Sequence, residues 1–492
     1  MFKKEENTKD NVNTKDNVNT KKDIKSKVDG ENKHTEGVDT ILGDPKRAMR
    51  KLSVPMIIAL FVNSLYALID SIWVAGVNEY ALAAVGFVSP LFLIAVGFGN
   101  GLGAGATATI SRFIGEGNKN DVNNSAMHVI VLSFILTAIL MIIAFLFLEP
   151  ILKLLGAGDT INDALAYGYI IFGGSFFLIF SSAAYGILRG EGNVKKTTYA
   201  LILGAIINTI LDPILIYVCD LGVAGAAIAS VFSLFVVSVL IAYWFKKGTY
   251  IDFSFKNFKW DKKILRLNIN VAIPAGVEML IISILSATLN FILVNVGGND
   301  AVSIYSGGWR VVMMALVPLM AVATSVVPVI GASYGAREFS KLWVAENYAI
   351  KLGLLIAAIT SVLTFVFAPN IAQIFTYSQQ TASLGPGIAE FLRIMIFFYI
   401  FVPIGMVSSF VFQGLGKGIH SLVLTTIREL LLIVVISYLL AVVFGFGKEG
   451  VWWGIVIGNI IGSIIAYIWS KFYVGLLTKE YKKEEEHTPS DF

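Results

Sequence analysis

From about residue 46 onward, apolar positions fill long unbroken runs rather than alternating or recurring on one helical face. Twelve runs reach the ~20 residues that a helix needs to cross a bilayer. They lie at roughly 52–76, 81–110, 125–148, 164–188, 197–219, 222–246, 266–296, 301–330, 345–368, 387–413, 420–445 and 450–474. Strands of a membrane barrel would be shorter and would alternate. The pattern predicts an all-α polytopic membrane protein with twelve transmembrane helices. Two carboxylates break the apolar runs: Asp70 in the first span and Asp212 in the fifth. A charge at bilayer depth costs on the order of 2.5–3.5 kcal/mol even on lenient scales, so such residues mark an ion or substrate pathway.

The polar positions between spans set the orientation. One set of loops carries Arg112 and Lys119, then Arg189, Lys195 and Lys196, then a cluster from Lys246 to Arg266, then Arg337, Lys341 and Lys417. The alternate loops carry almost none, with Lys153 and Lys448 as exceptions. The basic loops are expected to be cytoplasmic, which puts both termini in the cytoplasm.

The chain also repeats at an offset of about 220 residues. Pro55 matches Pro274, Asp70 falls opposite Asn290, and Pro150 matches Pro369. Arg189-Gly-Glu-Gly-Asn matches Gln413-Gly-Leu-Gly-Lys, and Gly222–Gly225 matches Gly447–Gly450. Six spans repeated once in the same orientation give two pseudo-symmetric six-helix lobes, an architecture in which lobes rock about a central cleft. The expected division is a disordered tail at 1–45, an N-terminal lobe at 46–246, an inter-lobe loop at 247–265, a C-terminal lobe at 266–474 and a second tail at 475–492.

Composition agrees with the pattern: 56% hydrophobic, 15% charged and a mean hydropathy of +0.74 exclude an ordinary soluble domain. The lone Cys219 excludes an internal disulfide, and the four histidines are scattered, so no metal constellation and no cofactor are expected. The first 45 residues carry a short polar repeat, Asn-Thr-Lys-Asp-Asn-Val, with no signal-peptide core. The partners expected are a small-molecule substrate and the lipid bilayer, with no nucleic acid and a monomeric chain.

On the first span Asn63, Tyr66 and Asp70 share a helix face; on the fifth, Asn208 and Asp212 do. Counting inward from the basic loops places both aspartates in the outer half of the bilayer. No deep Lys or Arg lies within the first-lobe spans, so the two acids are expected to hold a shared proton or cation. In the second lobe Glu278 is deep in the seventh span and Arg310 in the eighth, with Arg393, Arg428 and Glu429 also inside spans. An ion pair with Arg310 and a cation-coupling role are both open for Glu278. Gly97, Gly99, Gly101, Gly103 and Gly105 lie inside a hydrophobic span with no preceding strand, which argues for close helix packing rather than a phosphate loop.

Three segments together resemble the multidrug and toxic compound extrusion (MATE) transporters: Pro55…Tyr66-Ala-Leu-Ile-Asp70, Leu188-Arg-Gly-Glu-Gly-Asn193 and Asn208-Thr-Ile-Leu-Asp212-Pro213. The similarity covers roughly Pro45 to Tyr481, and the Tyr–Asp and Asn–Asp pairs look most like the DinF-like prokaryotic branch. The resemblance implies export of organic, cationic, multidrug-type compounds in exchange for H⁺ or Na⁺ across the cell membrane. It implies a cation site made of Tyr66, Asp70, Asn208 and Asp212, with Na⁺ or a proton held at the two acids, and bending of the first span at Pro55. Asn63, Ser182 and Tyr185 are further candidates. Glu278 matches the seventh-span acid of the NorM-like branch, but the tenth span here has Arg393 and no deep acid.

Three other readings compete. A lipid-linked oligosaccharide flippase of the same superfamily would tend to fourteen spans and a cationic cavity. An intramembrane aspartyl protease is suggested by Gly156-Ala-Gly-Asp159, which falls in a loop rather than a span. A passive channel is disfavoured by the two-lobe repeat.

Overall fold

The computed structural model describes residues 34–77, 80–253, 258–376 and 382–487. Most of the expected N-terminal tail, residues 1–33, lies outside the described residues, as do 488–492. Among the described residues the chain is helical throughout, with no strand. Ten helices are long and apolar enough to cross a bilayer as continuous stretches, and the pair Gly158–Gly173 and Ser175–Gly190, bent by 47°, makes a further crossing. The 74-residue helix Lys262–Gly335 is two helices merged across a break at Gly298, with φ 64° and ψ −160°. Only glycine reaches that conformation without steric cost, so the chain reverses there. Divided at Gly298, the described residues give twelve spans, as the apolar pattern predicts.

The first span runs from Pro45 to Ala75. Asp44 caps it by accepting from the Arg47 amide at 2.9 Å, Pro45 opens its first turn, and Pro55 sits inside an unbroken helix. The second span, Ala81–Gly115, threads between its neighbours on two glycine ladders. A Cβ on Gly101 would lie 2.8 Å from the Gly276 amide, and one on Gly105 2.6 Å from the Asn268 carbonyl, both on the seventh span. On the adjacent face a Cβ on Gly103 would lie 2.6 Å from the Ser182 carbonyl of the fourth span, where Thr107 Oγ1 donates to the Gly186 carbonyl at 2.9 Å. The glycines are packing positions, as their setting in an apolar run suggests.

Spans 1–6 pack on one another, and so do spans 7–12, the latter around Tyr399, Phe391 and Trp452. The two bundles are closed against each other at the end that carries the basic loops. There Gly115 abuts the Ala332 carbonyl, Gly335 the Arg112 carbonyl and Gly331 the Ser111 hydroxyl.

Two features of this basic end concern the expected tail and inter-lobe loop. Residues Glu36–Leu42 form a short helix with Val38 and Ile41 buried, so order begins before residue 45. Gly37 lies against the backbone of Glu191 and Gly192 of the first lobe, while Lys341 Nζ of the second lobe donates to the Leu42 carbonyl at 2.8 Å. The inter-lobe loop is docked on the first lobe: the Tyr250 amide donates to Glu191 Oε2 at 2.8 Å, Asp252 to Asn123 Oδ1 at 2.9 Å and Asp261 to His128 Nε2 at 3.0 Å. At the other terminus, the helix of the last span starts at Gly447 and continues to His487, well past residue 475. The apolar pattern ends at the membrane boundary, so it could not show either extension.

Candidate functional site

The first and fifth spans lie side by side in the first lobe, and Asp70 and Asp212 face each other across their seam. The two carboxyl groups are within hydrogen-bonding reach of one another. Asp212 is fully buried, and Oδ1 of Asp70 is buried with no donor. Among the described residues neither acid forms an ion pair with a lysine or arginine. Two carboxylates are acceptors only, so their juxtaposition is satisfied when one is protonated or when a cation lies between them.

Asn208, one turn from Asp212, is buried and tied to the sixth span. Oriented by its neighbours, its amide nitrogen donates to Asp212 Oδ2 at 3.0 Å, and its oxygen accepts from the Ser230 amide at 3.2 Å and the Ser230 hydroxyl at 3.3 Å. The Tyr66 phenol is within electrostatic range of both aspartates. Tyr167 of the fourth span completes the group, close to Asp70, Tyr66 and Asp212. Neither Ser230 nor Tyr167 was marked by sequence reasoning. Each sits on a span without its own acid, and only the packing of spans 4 and 6 against 1 and 5 reveals it.

The remaining first-lobe candidates separate. Tyr185 lies between Tyr66 and Arg189 and extends the polar group toward the basic end. Ser182 packs against Gly99 at the crossing of spans 2 and 4. Asn63 is exposed on the first span. Above the acids the seam is fastened by Tyr217, whose hydroxyl donates to the Trp73 carbonyl at 2.6 Å.

In the second lobe, of the two readings open for Glu278, the ion pair with Arg310 is not formed, and Arg310 is exposed. Glu278 instead accepts from Ser421 Oγ at 2.7 Å and Gln413 Nε2 at 3.2 Å. The buried cation is Arg428, whose Nη2 lies 2.8 Å from Glu429 Oε1. Gly405 and Gly462 leave the space its side chain fills. Arg393 is exposed and lies over the Phe365 ring at 5.7 Å. Residue spacing gives a position along each helix but not the azimuth about it, which decides who meets whom. The Gly156–Asp159 motif forms an exposed turn with positive φ at Gly156 and Gly158, unlike a membrane-buried protease dyad.

Comparison with known proteins agrees with this architecture. The MatE family model matches twice, at residues 55–214 and 274–439, once per lobe. The chain belongs to the MatE family and is a multi-pass membrane transporter, not an enzyme. It is 28% identical over 443 residues to the FAD transporter of Shewanella oneidensis, covering 86% of this chain and 93% of that one. It is 24% identical to the multidrug export protein MepA of Staphylococcus aureus, over 86% of this chain and 92% of that one. Among solved structures, an outward-facing conformation of a multidrug resistance MATE family transporter superposes with a TM-score of 0.89 at 37% identity, covering 91% of this chain and all of that one.

Proposed function

We propose that this protein exports organic cations in exchange for H⁺ or Na⁺, with Asp70 and Asp212 as the exchange site. The observation that carries the reading is the meeting of two acids from different spans with no basic partner. In this reading the basic end is cytoplasmic and sealed, so the acids are loaded from outside. A proton or Na⁺ entering there neutralises the pair, with Asn208, Tyr66 and Tyr167 offering oxygens and donors that fix its position. The neutral site tolerates closure and reorientation, whereas the dianionic pair does not. An organic cation from the cytoplasm then displaces the ion, because both are attracted to the same two charges. Exchange of one monovalent ion for one organic cation moves no net charge, so the ion's concentration gradient drives export, each tenfold of gradient being worth about 1.4 kcal/mol.

The sign of the site also bears on substrate. An acidic pair repels phosphates, so a nucleotide cargo like that of the Shewanella relative, or the pyrophosphate of a lipid-linked oligosaccharide, fits this lobe poorly. The test is efflux of a fluorescent organic cation from proteoliposomes after an imposed pH or Na⁺ jump. Uphill efflux driven by either ion is expected. Transport that ignores both gradients, or that prefers an anionic dye, overturns the reading.

A further inference from the structure

Spans 1 and 5, which carry the two acids, are joined a second time near the basic end. Thr198 of the fifth span is buried, and its Oγ1 lies 3.0 Å from the Pro55 carbonyl of the first span. The same hydroxyl lies 3.0 Å from the Val194 carbonyl one turn back on its own helix. Asp70 is about 22 Å above Pro55 along its helix, and Asp212 about 21 Å above Thr198. The two helices are therefore tied at matching heights by Thr198 and by the acid pair, with Tyr217 on the Trp73 carbonyl fastening them above the acids. Of these ties only the one at the acid pair depends on what occupies it.

Pro55 has no amide hydrogen, so the Lys51 carbonyl four residues earlier loses its helical donor and the first span is weakest there. A helix weakened at one point and free below it would swing as two loose segments. Thr198 holds the carbonyl of the weak residue itself. The repeat offers no counterpart: aligning Gly192-Asn193 with Gly416-Lys417 places Leu422 opposite Thr198.

We infer that Thr198 is a positioning residue that pins the lower end of the first span to the fifth at Pro55, so that ion exchange at the acids moves only the segment above the proline. This rests on the exchange reading proposed for the acid pair. Because the hydroxyl is shared with Val194, it is held in the right rotamer before span 1 engages it.

The test uses the full chain with Cys219→Ser and two pairs of spin labels. A lower pair sits at Arg50→Cys and Lys195→Cys, and an upper pair at Leu68→Cys and Ile210→Cys, beside the acids and short of the Tyr217–Trp73 bond, all at exposed positions. Distances are measured between pH 5 and pH 8, with and without Na⁺. In the parent, the upper distance is expected to shift with the ion and the lower one to stay fixed. Thr198→Val removes the hydroxyl at nearly constant volume. It should broaden the lower distance, make it ion-dependent and cut coupled efflux about fivefold, the weight of one hydrogen bond. Thr198→Ser keeps the hydroxyl and should restore both. A narrow, fixed lower distance in Thr198→Val overturns the inference, and so does a Thr198→Ser variant as impaired as Thr198→Val. An upper distance blind to ions in the parent would sink the exchange reading instead, while the contrast between Val and Ser would still decide the pin.

Discussion

The two lobes repeat the same six spans, yet they use charge in opposite ways. In the first, Asp70 and Asp212 meet at the seam of spans 1 and 5 with no basic partner among the described residues. Their counterparts in the second are Leu289, in the register set by Pro55 and Pro274 and one residue before Asn290, and, in the register set by Gly225 and Gly450, Ser437. That register is secure because both glycines receive the backbone of the preceding span at equivalent points, Leu215–Ile216 and Leu440–Ala441. The offset is 224 residues from Gly192 to Gly416 but 225 from Gly225 to Gly450, so the eleventh span has one residue more. An inserted residue in a helix is commonly absorbed as a π turn. The eleventh span has one at Thr426–Leu432 that the fifth lacks, and it carries Arg428 and Glu429. The second lobe thus gained an internal ion pair where the first kept an uncompensated acid pair. Its seam also differs: Tyr217, which fastens spans 1 and 5, is replaced by Val442, which lines a cavity of about 590 Å³ between spans 7 and 11. Charge left unpaired is available to an exchanging ion, whereas charge satisfied within the protein serves the fold.

The sharpest way to break this comparison is to neutralise the acids. Asp70→Asn and Asp212→Asn should each abolish ion-driven efflux, a loss of at least about a hundredfold, while the protein remains inserted and folded. Removing an unpaired buried charge does not harm stability. Efflux in proteoliposomes and the thermal midpoint, measured on the same preparations, check both halves. Normal transport by either variant would remove the seam from the mechanism.

The opposite result is expected in the second lobe. Arg428→Met should leave Glu429 buried beside no cation and cost about 3 kcal/mol of stability. Adding Glu429→Leu should recover most of it, because the pair is then replaced rather than broken. A single variant as stable as the parent, by thermal unfolding in detergent, would show that the pair does not hold the fold.

These contrasts mark how far the sequence could be read. Twelve spans and the repeat follow from apolar run length, and the Asn208–Asp212 association from helical spacing, which are properties of single helices; that Asp70 meets Asp212 is what the resemblance to the MATE transporters implies. Ser230, Tyr167 and Thr198 escaped because an uncharged hydroxyl or phenol in an apolar span is common, and its role depends on the neighbouring helix. The ion pair left open for Glu278 with Arg310 is not formed for the same reason, since similar depth on two helices does not make two groups face each other. The helix at Glu36–Leu42 escaped because its seven residues are stabilised by docking rather than by propensity.

A smaller effect separates the lobes at the basic end, where buried Glu191 stands opposite Leu415 of the repeat. Burial pushes Glu191 up to about 7, although the Tyr250 amide, Lys196, Asn193 and Lys119 all act to lower it. Its folded value is above the ordinary 4.5, so the folded state binds the proton more tightly than the unfolded one. The contribution of Glu191 to the stability of the folded state is therefore fully present below about pH 4.5 and is lost as the pH rises through about 7. Hydrogen exchange at the Tyr250 amide should quicken, beyond the intrinsic pH trend, between pH 5 and pH 8. In Glu191→Gln, whose amide oxygen still accepts from Tyr250, the extra pH dependence should vanish. Identical profiles for the two proteins would mean that the loop is held by Asn123 and His128 alone.

The smallest effect expected is also the one that most sharpens the comparison. Among the described residues, Glu278 is a second-lobe acid that reaches polar groups on other spans without an ion pair of its own, since Ser421 and Gln413 both donate to it. If the second lobe uses its charges for structure, Glu278→Gln should change little. The amide oxygen can still accept from Ser421, and the rate of coupled efflux should stay within about twofold of the parent. A stability loss under about 1 kcal/mol is expected, the value of one rearranged hydrogen bond. The pH or Na⁺ dependence of efflux should be unaltered, because the coupling charges lie in the other lobe. A Glu278→Gln variant that is stable but uncoupled would show an ion exchanging at Ser421 and Gln413 as well. The two lobes would then differ in where they hold their ions, not in whether they hold them.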